Sequence, residues 1–128
     1  MKIFVIIIFL IPITGYSQME NGSWTAPGSS KEIKAPYKFD DAFVKKGKVL
    51  FNNLCVICHG NKGKGDGIAG ISLKPRPTNF TLPKVQLQTD GELYWKLTNG
   101  RPPMAGYKAI ISDEQRWQLV SYIRKLKK

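Results

Sequence analysis

The chain has 128 residues but only two cysteines and one histidine, and all three fall in one five-residue unit, Cys55-Val56-Ile57-Cys58-His59. This clustering constrains the chain more than any other feature, because each use of paired thiols demands different surroundings. A disulfide across two intervening residues closes a very small loop and gains little entropy. A thioredoxin-like redox pair expects a βαβ pattern nearby, and a structural zinc site needs a fourth protein ligand. The sequence offers no strand pattern and no second Cys/His cluster. The use that asks for nothing more is C-x-x-C-H attachment of a c-type haem. Two thiols three positions apart can each add to one vinyl group of a porphyrin, and the next residue then brings an imidazole under the iron.

The N-terminus agrees with that use. Met1-Lys2 gives a positive start, Ile3 to Ile13 is apolar except for Pro12, and Gly15-Tyr16-Ser17 puts small residues at the −3 and −1 positions of a cut before Gln18. Residues 1–17 therefore read as a secretory signal peptide, and the protein as periplasmic or otherwise exported. The apolar run falls short of the roughly 20 residues of a transmembrane helix, so no stable membrane span is expected after cleavage. The alternative is an uncleaved N-terminal anchor. Removing Lys2 leaves 19 Lys/Arg against 9 Asp/Glu, so the formal charge moves from +11 to +10. A basic chain of roughly 110 residues is one domain by size, and a covalent cofactor can supply much of its core.

Residues 18–39 hold Gly, Ser, Pro and scattered Lys with no apolar period, and read as an extended surface leader, partly disordered. The domain proper spans 40–128. Asp40 or Asp41 can cap a first helix whose Phe43, Gly47, Leu50, Phe51 and Leu54 share one face and which runs directly into Cys55. A Gly- and Pro-rich stretch from Gly60 to Pro77 reads as loop. Thr89 and Glu92 form a capping box for a second helix over about 90–98, stopped by Asn99-Gly100. Ser112 and Gln115 repeat that signal for a third, with Trp117, Val120, Ile123 and Leu126 on its apolar side and Leu119 and Tyr122 beside them.

A second axial ligand must come from elsewhere in the chain. Met1 is the start and Met19 lies in the leader, which leaves Met104, in a proline-stiffened loop between the second and third helices. Pairing methionine with histidine raises the potential of a haem.

Taken together, Gly47-Lys-Val-Leu-Phe51, Cys55-Val-Ile-Cys-His59-Gly60, the Gly-Lys-Gly-Asp-Gly loop at 63–67, Met104, and Trp117 to Leu126 resemble the class I c-type cytochromes over about residues 41–126. The resemblance implies an all-α, small cytochrome c fold, with about three main helices and irregular loops wrapped around one covalent haem. It implies a crossing of the first and last helices at Gly47 against Tyr122 or Trp117. It also implies a proline carbonyl, of Pro75 or Pro77, accepting the Nδ1 proton of the proximal His59. Where the family often follows its axial methionine with proline, this chain has Ala105.

The function expected is that of a single-electron carrier, not an enzyme. One haem c is attached through Cys55 and Cys58, with His59 and Met104 as axial ligands. Alternatives are a cytochrome subunit of a larger respiratory complex, or a haem enzyme or gas sensor with an open distal site, although no carboxylate flanks Met104 to serve such chemistry. Lys62, Lys64, Lys74, Arg76, Arg101 and Lys108 are expected to ring the haem edge. The partners are then redox proteins with acidic docking faces, an oxidase, reductase or dehydrogenase. Nucleic acid is not expected, for want of any recognised binding motif.

Overall fold

In the computed structural model, which describes residues 23–128, the chain folds into helices where the capping signals place them. Helix α1, Asp41–Leu54, begins at Asp40, whose Oδ1 accepts the Phe43 amide at 2.9 Å. Two single-turn helices, α2 (Val56–His59) and α3 (Pro83–Gln86), add to the three that the capping signals announce. Helix α4, Asp90–Asn99, and helix α5, Asp113–Lys125, each start with a complete capping box, Thr89 with Glu92 and Ser112 with Gln115. These boxes satisfy amide groups that a bare helix start leaves open. Among the described residues there is no strand, only one isolated bridge between Arg101 and Met104.

Helix α5 lies between α1 and α4, which is why it buries Trp117, Leu119, Val120 and Ile123 instead of a single narrow stripe. Phe51 of α1 packs on Tyr122 at 5.2 Å between ring centroids, and Tyr94 of α4 stacks on Trp117 at 4.2 Å. The α1/α5 crossing falls at Gly47. A Cβ there would sit 1.9 Å from the Gln118 carbonyl oxygen and 3.1 Å from Tyr122 Cβ. Of the two aromatics expected at this crossing, Tyr122 is the one that meets the glycine. Because the obstruction is backbone, Gly47→Ala should destabilise the domain by about 3 kcal/mol, the upper end of overpacking costs. Denaturant unfolding at constant m-value would show this, and an unchanged midpoint would contradict it.

Residues 23–39 are folded onto the domain. A 3-10 turn, Gly28–Glu32, closes with Ser30 donating to the Pro27 carbonyl at 2.6 Å, and it packs on α4 with Ser30 and Ala26 buried. Tyr37 and Phe39 stack on Phe43. The sequence shows no apolar period in this stretch, because its order comes from tertiary packing. The expected signal peptide, 1–17, and the first residues of the leader, 18–22, lie outside the described residues.

Candidate haem site

Cys55 stands between α1 and α2, its amide bonded to the Phe51 carbonyl at 2.9 Å and its carbonyl accepting the His59 amide at 2.8 Å. The 55–59 unit is thus one more helical turn set off α1 by a kink. Its terminal carbonyls are taken up by the glycine loop: Gly65 N–H reaches His59 O at 2.8 Å, Gly67 N–H reaches Cys58 O at 3.1 Å, and Ala69 N–H reaches Ile57 O at 2.9 Å. A Cβ at Gly70 would lie 2.1 Å from Cys58 O, so only glycine lets the loop close this tightly. The glycines therefore brace the turn that presents Cys58 and His59.

His59 is buried, its ring stacked on Phe80 at 4.3 Å, and its Nδ1 lies 3.0 Å from the Thr78 carbonyl. That corrects the expectation of a proline carbonyl. The Pro77 carbonyl instead faces Gly65, where a Cβ would approach it to 2.3 Å, and the next carbonyl along, that of Thr78, reaches the imidazole. With Nδ1 donating to Thr78, Nε2 is left as the ring's ligating atom. Burial pushes the imidazole below its ordinary pKa and so favours the neutral form that binds metals, while the Thr78 hydrogen bond opposes that shift. Burial, reinforced by Cys58, pushes the Cys55 thiol up to about 12.

Met104 belongs to a loop fastened to the end of α4. Arg101 and Met104 exchange backbone hydrogen bonds at 3.1 and 2.8 Å, and Tyr107 and Lys108 donate to the Leu97 and Thr98 carbonyls at 2.9 and 3.2 Å. The Tyr107 hydroxyl bonds the Leu54 carbonyl at 3.3 Å, tying this loop to the residue before Cys55.

Two adjoining hollows, of about 350 and 250 Å³, open between these parts, and His59 and Met104 line both. Phe80, Leu97 and Ile123 give both an apolar wall. Cys55 and Cys58 line the second hollow. Two thiols, an imidazole with one nitrogen engaged and a thioether thus share one largely apolar space of cofactor size, and these residues fit a haem. Of the basic residues expected around it, Arg76 and Arg101 line the space, whereas Lys62 and Lys64 line a separate hollow and Lys74 and Lys108 are exposed and line neither. Trp24, Thr78, Lys84 and Lys96 line it without having been singled out in the sequence. Thr78 could have been reached as the residue after Pro77. Trp24 and the two lysines carry no local signal.

Comparison with known proteins gives the same direction. The first listed structural match, from a reducing HAO-like protein complex of Kuenenia stuttgartiensis, is 25% identical with a TM-score of 0.66 over 73% of this chain, which spans about half (48%) of that one. The KustC0563 c-type cytochrome is 26% identical with a TM-score of 0.55, over 64% of this chain and 98% of its own. Cytochrome CL from the marine methylotroph Methylophaga aminisulfidivorans shares the fold at 19% identity and a TM-score of 0.55, over 69% of this chain and 55% of that one. No curated protein matches. The family model described as cytochrome c matches residues 44–127, the same span that carries the C-x-x-C-H turn and the helices around the cavity, and the chain therefore belongs to the cytochrome c family, whose cofactor is covalently attached haem c.

Proposed function

We propose that this cytochrome c is a single-electron carrier of the exported compartment, with thioether bonds at Cys55 and Cys58 and with His59 and Met104 as axial ligands. The observation that carries the reading is that all four side chains line one hollow. The haem supplies the one-electron couple. The chain's own part is to hold the ring of His59 through Thr78 and to wall the space with Phe80, Leu97 and Ile123, and Met104 would supply the second protein ligand to the iron. With His59 and Met104 both holding the iron, oxygen and peroxide would have no ready place to bind, and outer-sphere transfer would be the chemistry left. A second reading, a cytochrome subunit within a larger redox assembly, draws on the neighbour from the HAO-like complex.

Arg76 and Lys84, both exposed, stand at the rim of the cavity and suit an acidic partner face. Oxidation of the reduced protein by an anionic inorganic complex should slow about tenfold or more between 0.01 and 0.1 M salt, as the Debye length falls from roughly 30 to about 10 Å. A cationic oxidant should show the opposite trend. Replacing Arg76 and Lys84 by Gln should flatten both. Stopped-flow rates indifferent to salt and substitution would remove the docking proposal.

A further inference from the structure

We infer, on the reading of Met104 as an iron ligand, that Arg116 is a positioning residue for it: the buried guanidinium pins the limb that leads away from Met104 and so sets how readily the methionine leaves the iron.

The two limbs of the loop are held differently. The incoming limb continues directly from α4, and the loop closes where Gly106 passes Asn99, whose carbonyl oxygen would lie 2.5 Å from a Cβ on that glycine. The outgoing limb turns over residues 107–111, where the Ile110 and Ile111 amides donate to the Tyr107 carbonyl at 3.1 and 3.2 Å. Those two bonds lie within the turn and do not fix it to anything else. Arg116 of α5 ties the turn to the helices. One guanidinium nitrogen donates to the Ile111 carbonyl at 2.9 Å and, at a longer 3.4 Å, to that of Lys108. The other reaches the Tyr94 hydroxyl at 2.9 Å and the Asp113 carboxylate at 3.2 Å. Tyr94 and Leu97 are neighbours on α4, three positions apart, and the Leu97 carbonyl takes the Tyr107 amide. The turn is thus fastened to α4 at two points, one of them through Arg116.

Stability alone does not call for an arginine here. Among the described residues its Nε is buried with no hydrogen-bond partner, a costly state for a donor. Buried charged groups are often replaced by apolar side chains without loss of stability. Asp113 is exposed and also accepts from Tyr94, so removing the guanidinium strands neither of them. What is lost is the hold on Ile111 and Lys108.

The test uses the full haem-loaded protein in its oxidised form, with imidazole as the probe. At saturating imidazole the binding rate is limited by release of Met104, a local opening that need not follow global stability. Arg116→Leu should raise that limiting rate about tenfold or more, because bonds from a charged donor are the strong class. It should also speed hydrogen exchange at the Tyr107 and Lys108 amides. Arg116→Lys keeps the charge with a less suitable donor geometry, and should raise the rate about threefold. Arg124→Leu takes from the same helix a guanidinium bonded to Asp90 and to the Gln86 and Gln88 carbonyls, none of them in the loop, and should leave both readouts at wild-type values. A wild-type imidazole rate in every Arg116 variant that folds would overturn the inference, as would an equal rise in Arg124→Leu. A wild-type protein that lacks the sulfur-to-iron band would instead sink the ligation by Met104 itself.

Discussion

Replacing Cys55 and Cys58 together by serine is expected to abolish covalent haem and, with it, the folded domain. In the wild type, acidified organic solvent should leave all haem on the protein; in the double variant it should extract whatever haem is present. The effect on folding follows from the size of the space. At about 24 cal/mol per Å³ of cavity, an unfilled hollow of about 350 Å³ would cost on the order of 8 kcal/mol. That is an upper bound, because the hollow opens to solvent, yet it rivals the roughly 5–15 kcal/mol by which a domain is stable. Each single variant keeps one bond and should retain haem at reduced yield. Haem that still resists extraction from the double variant would end the attachment proposal.

Met104→Ala is expected to separate ligand from packing. Met104 is half-exposed, and its loop is held by backbone hydrogen bonds from Arg101, Tyr107 and Lys108 that alanine leaves intact. Stability should therefore fall by only about 1 kcal/mol, typical of a point substitution outside the sealed core. The spectrum and potential should change far more. The weak sulfur-to-iron charge-transfer band of the oxidised protein should vanish, and the potential should drop on the order of a hundred millivolts or more, within the ~0.8 V that axial ligands span. The opened position should bind added imidazole or cyanide. Survival of both the band and the potential would show that Met104 only fills space.

Much of this was legible in the sequence because the signals are local. Asp40, Thr89 with Glu92, and Ser112 with Gln115 announce the three main helices through side chains that bond their own backbone three residues on. The Cys55–His59 unit places its three groups by spacing alone. What stayed hidden depends on distant chain. The partner of His59 is Thr78 and not a proline, because which carbonyl turns inward is decided where Gly65 meets Pro77. Trp24 enters the site only because the 3-10 turn docks on α4, and the lysines that line the cavity, Lys84 and Lys96, are set by how α3 and α4 are fastened. Arg124 does part of that fastening, with its guanidinium bonded to Asp90 and to the Gln86 and Gln88 carbonyls. Such long-range choices leave no period in the sequence.

The central claim is a His/Met-ligated haem c that cycles one electron and does no chemistry at an open iron. A potentiometric titration of the full haem-loaded protein, followed in its visible spectrum, tests this most directly. The account predicts a single reversible one-electron wave, a c-type spectrum on reduction, the sulfur-to-iron band on oxidation, and no change when peroxide is added to the oxidised form. A high-spin oxidised spectrum that responds to peroxide, or the absence of any haem absorbance, would contradict it.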